Sequence, residues 1–82
     1  MPPSREELAA ALLGAATEVL GEVPDGLSDD SDLREDLGAD SLDLLEIVMV
    51  LEETFDFTAE EDDFAEVVTV GDALDVLGKI LP

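Results

Sequence analysis

Residues 37–55 read LGADSLDLLEIVMVLEETF and contain the clearest helix signal of the chain. Asp40 is a favourable N-cap residue and Asp43 stands three positions later, so Ser41 is predicted to be the first residue of a helix. From Ser41 to Phe55, neither glycine nor proline interrupts the segment. Its apolar residues recur at the helical spacing i, i+3, i+4, i+7, which predicts an amphipathic helix over these positions.

The main apolar stripe of this helix has a single polar break, Glu52. It comprises Leu42, Leu45, Val48, Met49 and Phe55. Further apolar residues widen the stripe, namely Leu44, Ile47, Val50 and Leu51. The acids Asp43, Glu46 and Glu53 fall on the opposite side. The flanks of the helix are therefore expected to be either buried or offered to another molecule.

Three other segments carry helix signals. Ser4–Glu7 is a capping box and opens a first helix over residues 5 to 20, ended by Gly21. Its apolar positions are Leu8, Leu12, Ala15, Ala16, Val19 and Leu20. Thr58–Glu61 is interpreted as a second capping box, starting a short element that ends near Val67. A third box at Thr69–Asp72 opens a last helix through Ile80, with Val70, Ala73, Leu74, Leu77 and Leu81 apolar.

Residues 21–39 contain four glycines and prolines and many aspartates, so they are predicted to form a long loop with a short turn around residues 31–36. Four spaced apolar residues are expected to anchor that loop to the core: Val23, Leu27, Leu33 and Leu37. The predicted fold is all-α, a small bundle of three longer helices and one short one, with the long loop between the first two helices. A single domain is expected over residues 1–82.

The composition excludes several function classes. The net charge is −20, from 23 acids against three bases, so nucleic acids and anionic membranes would be repelled and partners with basic patches favoured. The absence of cysteine and histidine excludes disulfides, zinc or haem sites and Ser–His–Asp or Cys–His catalysis. Calcium loops beginning at Asp30 or Asp56 fail at the positions that need glycine or glutamate, so no metal site is expected. We expect a cytoplasmic, monomeric protein that is not an enzyme.

Ser41 stands where a serine usually has only a structural role. The chain offers no base to activate its hydroxyl, so Ser41 is not expected to act as a nucleophile on its own. A helix N-terminus is nevertheless a good place to hold a phosphate, because its N–H groups and dipole point outward.

Residues 32–43, DLREDLGADSLD, closely resemble the acyl carrier proteins, and the likeness continues through residues 46–55 and 69–73. The resemblance implies that Ser41 carries 4'-phosphopantetheine, installed from coenzyme A by a phosphopantetheinyl transferase with Mg²⁺. The thiol of that arm would hold acyl groups as thioesters for enzymes of fatty acid or polyketide synthesis. The resemblance also implies that an acyl chain can fold back into the core beside the second helix.

The same resemblance predicts that partner enzymes dock on the helix after Ser41. Basic patches would meet Asp40, Asp43, Glu46 and Glu53, while Leu42 and Met49 would add apolar contact. A peptidyl or aminoacyl carrier is the alternative within the class, although Asp40 and Glu46 favour an acyl cargo. An acidic DNA mimic that inhibits a nucleic-acid-binding protein is the alternative from another class.

The chain departs from the family pattern before its short third helix. Phe57-Thr58-Ala59-Glu60 replaces the usual Ile-Pro pair, and Phe64 is bulkier than expected. Phe57 is expected to fill the gap beside Ala59 or to narrow the acyl cavity. These differences favour a specialised carrier over the housekeeping fatty-acid one.

Overall fold

The computed structural model describes residues 3–81, except for the side chain of Glu61. Three α-helices follow one another, α1 (Arg5–Leu20), α2 (Ser41–Phe55) and α3 (Val70–Ile80), and a one-turn 3-10 helix (Glu61–Phe64) lies between α2 and α3. No strand forms within residues 3–81; the nearest approach is a single antiparallel bridge between Asp32 and Thr69. The predicted all-α class is confirmed, with three α-helices and one 3-10 turn rather than four α-helices.

Two of the three predicted capping boxes are formed. The Glu7 N–H donates to Ser4 Oγ at 3.2 Å, and the Asp72 N–H donates to Thr69 Oγ1 at 3.1 Å. In the box at Thr69–Asp72 the main-chain N–H groups of Thr69 and Val68 donate in return to the Asp72 carboxylate. These bonds hold the pKa of Asp72 below its usual range, because they favour the charged carboxylate.

The prediction of a capping box beginning at Thr58 was wrong. The Ala59 N–H donates to Glu52 Oε2 at 2.9 Å, which fastens this segment to the end of α2. Glu60 is still extended, and its N–H donates to Asp63 Oδ2 at 2.8 Å, so the 3-10 helix begins only at Glu61. Glu52, the polar break in the α2 stripe, thus ties down the chain that leaves α2.

The core is built mainly from leucines and alanines of all three helices. Its buried residues are Leu8, Leu12, Ala15, Ala16, Leu33, Leu37, Ile47, Leu51, Ala73, Leu74, Leu77 and Leu81. The four predicted loop anchors all pack there, Leu33 and Leu37 buried, Val23 and Leu27 partly so. The predicted apolar faces of α1 and α3 are therefore confirmed.

The buried side of α2 differs from the predicted main stripe. Ile47 and Leu51 are buried and Leu44 packs against the core, whereas Leu42, Leu45 and Met49 are exposed. Both sets have helical spacing, so periodicity alone does not distinguish them. The choice follows from where α1 and the loop residues Leu33 and Leu37 place their own apolar side chains.

The second half of the long loop is fastened to the start of α3. The Leu33 N–H donates to Val68 O at 2.9 Å, and the Val70 N–H donates to Ser31 O at 2.9 Å. The Gly71 N–H donates to Asp29 O at 2.8 Å, and a Cβ at this glycine would lie 3.0 Å from the same oxygen. Glycine therefore permits this close approach between loop and helix.

Candidate functional site around Ser41

Ser41 begins α2, and its side chain is not needed to cap that helix. Asp40 is the N-cap residue, and its Oδ1 accepts from the Asp43 N–H at 2.8 Å. The Asp43 carboxylate accepts in return from the Asp40 N–H at 3.3 Å. Because these two aspartates satisfy the helix start, the exposed Ser41 hydroxyl is left to point outward.

The loop before Ser41 is held in place by hydrogen bonds and by buried residues. Asp32 Oδ1 accepts from the Arg34 and Glu35 N–H groups at 2.8 and 2.9 Å, forming the predicted turn. Leu33 is buried, and its carbonyl accepts from the N–H of the equally buried Ala39 at 3.1 Å. This bond brings the chain back to Leu33 immediately before α2. Ser41 therefore follows a segment that is packed into the core.

Arg34 lies against Ser41, a contact that sequence reasoning missed. Its Nη2 donates to Ser41 Oγ at 3.3 Å, which is the only hydrogen bond within residues 3–81 that reaches this side chain. A guanidinium cannot accept the hydroxyl proton, so the contact does not activate Ser41 as a nucleophile. An exposed hydroxyl beside a cation and a helix N-terminus does fit a phosphodiester attached at Oγ.

The exposed side of α2 carries an apolar strip flanked by acids. Leu42 is 62% exposed, and Leu45 and Met49 are each 55% exposed. Glu46 and Glu53 are exposed beside this strip, so their predicted position on the opposite side of the helix was wrong. Leu45 was absent from the predicted contact residues, although its position between Leu42 and Met49 at spacings of three and four residues is the signal that identifies it.

A small apolar cavity lies on the opposite side of α2. Its volume is about 30 Å³, and it is lined by Leu12, Leu33, Leu44, Ile47, Val48, Leu51, Phe64, Val67 and Ala73. Phe64 lines this cavity, whereas Phe57 packs against the core without lining it. This is about the volume that one water molecule occupies in the liquid, so the cavity is much smaller than an acyl chain.

Comparison with known proteins bears directly on the Ser41 motif. Residues 10–77 match the family described as phosphopantetheine attachment site. The chain belongs to the acyl carrier protein family. An acyl carrier protein of Sulfurovum sp. is 46% identical over 63 residues, which cover 77% of this chain and 84% of that relative. One from Exiguobacterium sp. is 37% identical over 71 residues, 87% of this chain and 90% of the relative.

A third acyl carrier protein, from Chlamydia trachomatis, is 51% identical over 55 residues, which cover 67% of this chain and 71% of the relative. Acyl carrier proteins are not catalysts; they carry covalent 4'-phosphopantetheine, which a separate transferase adds. Membership of this family removes the basis for the DNA-mimic alternative, which did not account for the GADSLD motif.

Among residues 3–81, no three acidic side chains converge in a way that would hold a metal ion. Within the same range, every helix is too short or too polar to cross a lipid bilayer.

Proposed function

We propose that Ser41 is the attachment residue for 4'-phosphopantetheine, and that the chain carries acyl groups as thioesters on the thiol of that arm. The observation that carries this proposal is the exposed Ser41 hydroxyl at the start of α2, released from capping by Asp40. The chain has no cysteine, so the thiol must come from the arm. The chain would act as a single carrier domain, as a monomer and in the cytoplasm.

Attachment is a phosphoryl transfer in which Ser41 Oγ forms a bond to the β-phosphorus of coenzyme A. The phosphoanhydride bond breaks, and 3',5'-adenosine bisphosphate leaves. The proton of the hydroxyl passes to a base of the transferase, because this chain has no histidine and its only contact to Ser41 Oγ within residues 3–81 is a guanidinium. The role of this chain is to present the hydroxyl and to bind the transferase.

We define the docking face as the exposed side of α2 next to Ser41. It comprises Asp40, Leu42, Asp43, Leu45, Glu46, Met49 and Glu53. Acids around an exposed apolar strip suit a partner with a basic patch, here the transferase and acyl-transferring or synthase enzymes. Each exposed charge pair contributes little, about 0.2–1 kcal/mol, so such contacts should form quickly and release readily.

The acidic residues of the docking face form two pairs that differ in their structural role. The Asp40 and Asp43 carboxylates also hold the start of α2, so their replacement would disturb the helix as well as the interface. Glu46 and Glu53 accept no hydrogen bond within residues 3–81, and their replacement would change charge alone. Tests of partner binding therefore belong on Leu42, Leu45, Glu46, Met49 and Glu53.

The cargo is an acyl group of fatty acid or more specialised polyketide synthesis. The acidic docking face favours acyl over aminoacyl cargo. Because the cavity beside α2 is only about 30 Å³, sheltering an acyl chain would require the bundle to open. A short cargo, or one presented directly to the partner, suits this core.

Intact mass spectrometry tests the attachment. The apo protein is incubated with coenzyme A, Mg²⁺ and a broad-specificity phosphopantetheinyl transferase. Wild type and Ser28→Ala should gain the mass of one arm, and Ser41→Ala should gain none. Ser28 is an exposed loop serine whose hydroxyl makes no hydrogen bond within residues 3–81, which makes it the matched control. An unchanged wild-type mass, or a gain in Ser41→Ala, would contradict the proposal.

A further inference from the structure

The chain has three basic residues, and they are used in different ways. Arg5 bridges Asp29 and Asp75 at 3.0 and 2.9 Å, which joins α1 to the loop and to α3. These are the only ion pairs among the described side chains of residues 3–81, which leave out that of Glu61, and no described carboxylate pairs with Arg34 or Lys79. The Arg34 guanidinium, surrounded in sequence by acids, contacts the Ser41 hydroxyl instead.

The position of Arg34 is set by its main chain. Its N–H donates to Asp32 Oδ1, and the Asp36 N–H donates to Asp32 O at 2.9 Å, closing the turn around it. The neighbouring Leu33 is buried and anchors this turn in the core. Because none of these contacts uses the Arg34 side chain, replacing that side chain should leave the turn and the fold intact.

We propose that Arg34 binds the phosphodiester linking the arm to Ser41. This inference rests on the proposed function. The phosphorus would be bonded to Oγ, the atom that Arg34 already contacts, so its charged oxygens would lie within reach of the guanidinium. A guanidinium offers parallel N–H donors that match phosphate oxygens and keeps its charge at any physiological pH.

The negative charge around Ser41 explains why the phosphodiester would need a cationic side chain beside it. The arm adds a negative phosphodiester next to the carboxylates of Asp40 and Asp43, on a chain that already carries −20. Arg34 is the residue placed to offset that repulsion at the attachment point. Arg34 and Ser41 are both exposed, so the interaction should be strong at low ionic strength and screened by salt.

Phosphorus NMR of the loaded protein tests the proposal. At low ionic strength the phosphodiester resonance of Arg34→Gln should be displaced from that of wild type, and the displacement should collapse in about 1 M salt, where the Debye length is roughly 3 Å. Lys79→Gln is the matched control, since it removes the same charge from an exposed residue of α3 that makes no ion pair with any described carboxylate. Its resonance should coincide with that of wild type.

A second measurement needs no variant. Phenylglyoxal should modify Arg34 severalfold more slowly in the loaded protein than in the apo protein, while the rate at Arg5 stays the same. Identical phosphorus resonances for wild type and Arg34→Gln, an equal displacement in Lys79→Gln, or an unchanged rate at Arg34 would overturn the role of Arg34. If the proposed function itself were wrong, the mass of the wild-type protein would not increase on incubation with coenzyme A and the transferase.

Discussion

Two apolar strips run along α2. Ile47 and Leu51, with Leu44 beside them, face the core, while Leu42, Leu45 and Met49 lie on the exposed docking face. The strips have similar chemistry and the same helical spacing, yet burial stabilises the fold through the first and leaves the second available to partners. Hydrophobic periodicity therefore identifies surfaces that need covering, and does not say which of them the chain covers itself.

The largest expected effect comes from truncating the buried strip. Leu51 is 1% exposed, so Leu51→Ala should lower the free energy of unfolding by about 2–5 kcal/mol, through lost burial and a new cavity. Met49→Ala, two residues away on the exposed side, should change it by less than about 0.5 kcal/mol. Urea denaturation measures both, and similar losses in the two variants would show that the strips are not distinct.

Truncating the exposed strip should have the converse effect. Leu45→Ala and Met49→Ala should each lower kcat/KM of the transferase roughly fivefold, equivalent to about 1 kcal/mol of lost contact, with stability unchanged. Leu13→Ala is the matched control, since it truncates a 44% exposed leucine of α1 outside the docking face. The kcat/KM of the transferase with this variant should equal that with wild type. Equal losses in all three variants would mean that the docking face has no special role.

The smallest effect concerns the capping box that starts α3, the helix packed over the same core as the buried strip. The Asp72 pKa is lowered from its ordinary value of 3.8, so its stabilising contribution is full above that value and is lost as pH falls through the lowered pKa. Asp72→Asn should therefore lower the melting temperature at pH 7 by a few degrees, and the deficit should shrink as the solution is acidified.

Thermal unfolding at a series of pH values measures that deficit. Asp25→Asn removes the same charge from an exposed loop residue that has no hydrogen bond within residues 3–81, and so controls for the change in net charge. A deficit that grows on acidification would have the wrong sign for a lowered pKa.

Most element boundaries could be predicted because helix signals are local. Ser4, Asp40 and Thr69 cap the three α-helices as predicted, since each bond joins residues three positions apart. The prediction failed at Thr58 because Glu52, seven positions before Ala59, holds that segment to α2. Leu45 was left out of the predicted docking face, which the family resemblance supplied, although it lies at helical spacing from Leu42 and Met49.

The three α-helices, their N-caps and the Ser41 motif could be predicted from the sequence, because these depend on residues close together along the chain. Which strip of α2 is buried depends on where α1 and the loop residues Leu33 and Leu37 pack, so this was set by the folded structure. The folded structure also set the contact between Arg34 and Ser41, because a turn closed by Asp32 and anchored by Leu33 brings the guanidinium to the hydroxyl. Interactions between residues close in sequence determine the helices, and packing in the core determines which of their faces are exposed.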